Sequence, residues 1–251
     1  MRTIGIIPAR YGSTRFPGKP LAKIQGRPMI WHVYQRCLKA KYLDQVLVAT
    51  DDKRIYDCVL DFGGLAVMTS EKHRSGTDRI AEALTKFETR SSKFGTIINI
   101  QGDEPLIDPK TIDLLAKAIS EDKNIEMATL VGSFNDRHDL LSANTAKVVA
   151  DERGNALYFS RSVIPGSRES SFRLSNYLKH IGIYAYRRDI LFKLISWPQS
   201  GLEKTEKLEQ LRALEHGVKI KLIKTGYRPL AVDIPADLAR VNKTLRGQSF
   251  A

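Results

Sequence analysis

Three side chains in the stretch PARYGSTRFPGKP could do chemistry on a phosphate: Arg10, Arg15 and Lys19. They lie in a glycine-containing turn that directly follows a short apolar run, TIGII. A turn at the C-terminal end of a buried strand exposes backbone N–H groups where α/β proteins bind ligands. Basic side chains added there can neutralise a polyphosphate, and Gly12 lets the backbone approach it closely. The spacing is not that of a Walker A loop. Five residues separate Gly12 from Gly18, and Lys19 is followed by Pro20 rather than Ser or Thr. Nor is it GxGxxG. On charge alone the stretch reads equally well as a solvated basic loop.

A second candidate is IINIQGDEPLI, where an apolar strand delivers Asp103 and Glu104 to a turn closed by Pro105. An acidic pair in a turn is ordinarily turn chemistry. Opposite a phosphate loop, however, a carboxylate at a strand end can hold a hard divalent cation such as Mg²⁺. AVDIP supplies a further acid, Asp233, ahead of a proline-started helix. In HRSGTDRI, Ser75, Gly76 and Thr77 precede Asp78 and a helix, which predicts an N-cap. The same loop backbone could also read the edge of a nucleobase.

Polar residues recur in YFSRSVIP, KHIGIYAY and LEQLR. Arg161 suits a carboxylate, and Glu209 and Gln210 suit sugar hydroxyls, although each taken alone reads as a salt bridge or surface residue. His180 sits at the edge of a strand-like run. His32, His73, His138 and His216 show no metal spacing, and none is assigned to catalysis. No general base stands out.

The elements that must position these groups alternate through the first half of the chain. TIGIIPA, QVLVAT, LAVMTS and TIINIQ read as strands. Between them, PMIWHVYQRCLKA, RIYDCVLDFG and DRIAEALTKF read as helices, with PKTIDLLAKAIS following. Met29, Val33 and Cys37 share a face with Ile30, Tyr34 and Leu38 beside them. Asp108 offers a cap before Pro109 at the first helical position. This alternation predicts an α/β fold of right-handed βαβ units around a mainly parallel sheet.

From about Asn124 to Tyr186 the segments become longer and strand-like, with a turn at ERGN. They predict a strand-rich excursion, a candidate dimerisation region. Helices at RRDILFKLIS and LEKTEKLEQLRALEHG, a strand at VKIKLIKT and a closing helix at PADLARVNKTL follow. No Pro/Ser linker intervenes, so one domain over residues 1–251 is expected, with the excursion at about 124–186 embedded in it.

Composition bounds the partners. With 42% hydrophobic and 27% charged residues the chain is of ordinary globular type. The formal charge of +12 suits an anionic ligand, but the basic residues are dispersed without a run of five or six. No nucleic-acid partner is expected. No apolar run long enough for a bilayer is present, nor a signal-peptide pattern, so no membrane insertion is expected. Cys37 and Cys58 lack a CxxC spacing and read as reduced, small core residues of a cytoplasmic protein.

Taken in order, PARYGSTRFPGKPL, VATDD, SGTDRI, NIQGDEP, ALYFSR, HIGIYAY, LEQLR and VDIP closely resemble the 3-deoxy-manno-octulosonate (Kdo) cytidylyltransferases. The resemblance runs from about Ile4 to Leu245. It implies a Rossmann-like nucleotidyltransferase fold, a homodimer, and transfer of CMP from CTP to the anomeric 2-hydroxyl of Kdo with release of pyrophosphate. By that resemblance, Arg10, Ser13, Arg15 and Lys19 hold the triphosphate, and Ser75 and Gly76 lie near the cytosine. Lys19, Arg15 and Asp103 carry catalysis, and Asp103 and Asp233 bind Mg²⁺. Gln101, Arg161, His180, Tyr184, Glu209 and Gln210 line the sugar-acid pocket.

The chain departs from the family pattern at two places. VDIPAD stands where VDTPED is usual, so Ile234 and Ala236 replace a hydroxyl and an acid that could support Asp233. Gly166, followed by Ser167 and Arg168, stands where many members carry an aromatic residue. Kdo and its 8-amino analogue are not distinguished by these residues. A synthetase for a nine-carbon sialic-acid-like sugar would be expected to differ around Arg161, His180 and LEQLR. A non-catalytic nucleic-acid module would show a basic helix, a zinc pattern or RNP-type aromatics, which are lacking.

Overall fold

The computed structural model describes residues 1–73, 75–88, 93–167 and 173–246. Arg74 and Arg168, in stretches singled out above, lie outside the described residues. The fold divides into two compact units, one of Met1–Ala116 with the residues from Pro229 onward, the other Lys117–Arg228.

The first unit opens with β1 (Thr3–Ala9). Its Ile4, Ile6 and Ile7 are fully buried, as a strand covered on both faces requires. A hairpin of β2 (Lys23–Ile24) and β3 (Arg27–Pro28) leads into α1 (Met29–Cys37). β4 (Gln45–Thr50), α2 (Lys53–Asp61), β5 (Ala66–Met68), α3 (Gly76–Phe87), β6 (Thr96–Asn99) and α4 (Pro109–Glu121) follow. The sheet order is β5-β4-β1-β6 and every pairing in it is parallel. The expected face of α1 is buried through Cys37, but the helix stops there and Leu38 turns out to solvent. The Asp108 cap forms, its carboxylate accepting from the Lys110 N–H at 3.0 Å.

The closing helix α9 (Pro235–Arg246) returns to this unit. Val232, Val241 and Leu245 pack with Ile24 and Met29, and Phe16 from the basic loop joins them. Burying such side chains stabilises by roughly 1.5–3 kcal/mol each, so the loop is anchored at its apolar residue while its charged residues stay at the surface. Cys37 is buried and Cys58 half-buried, and burial pushes both thiols up.

The second unit holds the strand-rich stretch: β7 (Met127–Gly132), α5 (Arg137–Leu141), β8 (Lys147–Ala150), β9 (Ala156–Ser160) and β10 (Leu178–Arg187). β10 runs antiparallel to β7 and β8, and β8 and β9 form the hairpin whose turn is ERGN. α6 (Arg188–Ser196), α7 (Gly201–Glu206), α8 (Gln210–Glu215) and β11 (Ile220–Lys224), parallel to β7, complete it. LEKTEKLEQLRALEHG, expected as one helix, is two. Lys207 takes a left-handed conformation (φ 55°) and closes α7, and a buried Arg212–Glu203 pair at 2.6 Å holds the two short helices together. Periodicity alone does not register a single left-handed residue.

Candidate active site

The loop after β1 is closed by its own backbone. The N–H groups of Ser13 and Gly18 both donate to the Tyr11 carbonyl at 2.9 Å, and Phe16 N–H donates to Ser13 Oγ at 3.3 Å. Gly18 has φ +69°, and a Cβ there would stand 3.0 Å from the Tyr11 ring. The ring in turn carries the Arg54 guanidinium 3.4 Å above its centre, and Arg54 is clamped to Asp52 at the start of α2. The chain is thereby turned so that Lys19 meets the carboxylates: its Nζ lies 2.7 Å from Asp103 and 3.6 Å from Asp233. Arg15 reaches Asp233 at 3.3 Å.

The two acids come from distant segments. Asp103 follows β6, where Gly102 passes so close to β1 that a Cβ would fall 2.9 Å from the Pro8 carbonyl oxygen. The Val232 N–H donates to the Asp103 carbonyl at 2.9 Å and brings Asp233 alongside. The N–H groups of Asp233 and Ile234 both donate to Asp237 Oδ2, at 2.8 and 3.0 Å. Burial raises the Asp237 carboxyl, but these two N–H groups and Arg240 outweigh it and hold its pKa down. The backbone of Asp233 is therefore supported by Asp237, without the hydroxyl and acid that Ile234 and Ala236 replace.

Arg10, Ser13, Arg15, Lys19, Ser75, Gly76, Gln101, Asp103 and Asp233 line one cleft of about 350 Å³. Ser75 caps α3 in a reciprocal capping box with Asp78, as HRSGTDRI predicted. Among the described residues no three metal-ligating side chains gather. A divalent ion held by Asp103 and Asp233 would draw its other ligands from phosphate oxygens and water, as Mg²⁺ characteristically does.

The remaining predicted residues lie in the second unit. Arg161 donates through Nε to the Glu206 carbonyl and through Nη1 to that of Ala143, each at 2.8 Å, and through Nη2 to that of Lys207 at 3.3 Å. His180 and Tyr184 lie on β10 with rings 5.4 Å apart, and Phe159 stacks edge-on to His180 at 5.0 Å. Burial lowers the His180 pKa to about 3, so its ring is neutral at physiological pH. Burial, then Tyr186 and Glu209, raises the Tyr184 phenol. Glu209 precedes α8 and Gln210 begins it; the Gln210 side-chain N–H₂ is buried without a hydrogen-bond partner.

Two ionisable residues of the cleft, Arg79 and His73, carry no role in the sequence reading. Arg79, 4% exposed, bonds Asp51 and Thr69 at 2.6 Å each. His73 bonds Glu82 of α3. Both also line a second cleft of about 330 Å³ that continues along Tyr11, Asp51 and Glu71. SGTDRI contains Arg79, but nothing in its spacing says that its side chain turns inward. His73 lacks a metal-type partner in sequence, and its partner Glu82 comes from the helix that follows.

The cytidylyltransferase family model matches residues 4–220. The 3-deoxy-manno-octulosonate cytidylyltransferase of Geotalea daltonii is 47% identical, the match covering 98% of this chain and 99% of that protein. Its counterpart in Thermodesulfovibrio yellowstonii is 49% identical over 99% of this chain and 100% of its own length. Among solved structures, CMP:2-keto-3-deoxy-manno-octonic acid synthetase complexed with CTP matches with TM-score 0.91 and 42% identity, covering 98% of this chain and 99% of that one. A cytidylyltransferase from Leptospira borgpetersenii, at 19% identity and TM-score 0.66 over 99% and 88% of the two chains, shares the fold.

Proposed function

The chain belongs to the 3-deoxy-manno-octulosonate cytidylyltransferase family, and from that premise we propose that it transfers CMP from CTP to the anomeric 2-hydroxyl of Kdo. The products are CMP-Kdo and pyrophosphate, and the sugar is thereby activated for lipopolysaccharide synthesis. The observation that carries this reading is the convergence of Lys19, Arg15, Asp103 and Asp233 at the C-terminal ends of parallel strands.

In this reading Arg10, Ser13, Arg15 and Lys19 hold the triphosphate, and Ser75 and Gly76 stand beside the cytosine. Lys19 and Arg15, paired here with Asp103 and Asp233, can turn to phosphate, and the two carboxylates would hold Mg²⁺. Mg²⁺ would supply neutralisation of phosphate charge and acidify the attacking hydroxyl. The hydroxyl must attack the α-phosphorus in line with the departing pyrophosphate, and the N–H donors of Lys19 and Arg15 offset the charge that grows on the leaving oxygens. Lys19, Arg15 and Asp103 are thus the catalytic set.

Gln101, Arg161, His180, Tyr184, Glu209 and Gln210 bind the sugar acid. His180, kept neutral by burial, meets a hydroxyl as a hydrogen-bonding ring rather than as a cation. The buried, unpartnered N–H₂ of Gln210 favours a polar ligand there. The enzyme works as a homodimer in the cytoplasm, and β9, which carries an exposed Leu157, is a candidate contact for the second copy.

Pyrophosphate followed in time with CTP, Mg²⁺ and Kdo tests the activity. Release is expected. A folded sample that releases none with Kdo or with its 8-amino analogue refutes the proposal.

A further inference from the structure

His73 stands on the loop between β5 and α3, half-buried, at the wall common to the two clefts of the first unit. Its Nε2 faces the Glu82 carboxylate. That carboxylate is fixed from two further directions. Oε2 accepts from the Ser70 N–H at 2.9 Å, and Oε1 pairs with Lys86 at 2.7 Å. Burial raises the Glu82 pKa, but Lys86, Ser70 and His73 together bring it down to about 2. At neutral pH it is an acceptor only, so the hydrogen of their bond belongs to His73 Nε2. With that hydrogen on Nε2, the lone pair of the ring in its uncharged form is on Nδ1.

Arg15, Lys19, Asp103 and Asp233 bond one another and form the charged cluster that suits phosphate and metal. Away from that cluster the lining makes none of those ion pairs; Pro8, Ala9 and Gly76 offer a flat apolar wall, and His73, Ser75, Gln101, Arg10 and Arg79 offer polar edges to a base. Cytosine presents an exocyclic amine where uracil presents a carbonyl oxygen. A lone pair on Nδ1 accepts from the amine, whereas it opposes the carbonyl lone pair to lone pair. Resting on the cytidylyltransferase reading, we infer that His73 is a specificity-determining residue that reads the cytosine amine through Nδ1. Glu82 is the positioning residue that sets the tautomer.

Calorimetric titration of the full chain with CTP and with UTP, in Mg²⁺ and without sugar, tests this. The wild-type protein is expected to bind CTP more tightly, and His73→Ala to narrow the ratio of the two affinities about tenfold, mainly by weakening CTP. Glu82→Gln, whose amide can donate to Nε2 and release the tautomer, is expected to narrow the same ratio. It decides the matter should His73→Ala fail to fold by near-ultraviolet circular dichroism. An unchanged ratio in the folded variants, or a wild type with no preference for CTP, overturns the inference and leaves the transferase reading standing. A wild type that binds neither nucleotide overturns both.

Discussion

Lys19 donates to Asp103 at 2.7 Å while Asp233 waits at 3.6 Å, and this shared cation determines what each substitution does. Asp103→Asn keeps the shape and an acceptor oxygen for Lys19 but removes the charge that the proposed metal requires. Turnover is expected to fall by roughly a hundredfold or more with the melting temperature nearly unchanged; near-normal pyrophosphate release would remove Asp103 from the metal role. Lys19→Ala is expected to lower kcat/KM for CTP by about a hundredfold, read at limiting CTP. His180 gives a prediction about pH. Its pKa is about 3 in the fold against 6.5 in the unfolded chain, so between those values the unfolded chain binds more protons. Stability contributed by the neutral ring is therefore lost as pH falls below about 6.5. Urea melts at pH 7.5 and pH 5 are expected to differ more for the wild type than for His180→Gln; equal differences would show that His180 is not responsible.

At the scale of elements, Gly102 lets β6 end against β1, because no Cβ fits beside the Pro8 carbonyl. Gly102→Ala is expected to cost about 1–3 kcal/mol and to displace Asp103, so that denaturant midpoint and turnover fall together. Loss of one without the other would separate the packing from the site. The strands TIGIIPA and QVLVAT were legible to the residue because β-branched runs buried on both faces have no other stable use. The charged cluster was legible in part, since Asp103 follows an apolar strand and Asp233 precedes a helix, whereas charge alone did not separate Arg15 and Lys19 from a solvated loop. Three features were hidden for a physical reason. The break at Lys207, the inward turn of Arg79 and the His73–Glu82 pair depend on one backbone angle or on a side-chain direction, and neither leaves a periodic trace.

For the molecule as a whole, the cleft residues from Pro8 to Asp103 and Asp233 all belong to the first unit, although residues 117–228 separate their segments. Saturating CTP with Mg²⁺ is expected to slow hydrogen exchange most at residues 10–19, 75–79 and 101–103. At a hundred times its Kd, the nucleotide should stabilise the fold by about 2.7 kcal/mol. Protection spread evenly over both units would contradict a nucleotide site confined to the first. The bond from Val232 to the Asp103 carbonyl has a consequence for the chain during synthesis. A ribosome that has just emitted Asp103 must add the whole of Lys117–Arg228 before the segment bearing Asp233 exists. At roughly 5–20 residues per second that interval is on the order of ten seconds. Throughout it the nascent chain carries the phosphate loop and one acid but no completed site, so nucleotide capture waits until the segment bearing Asp233 has emerged.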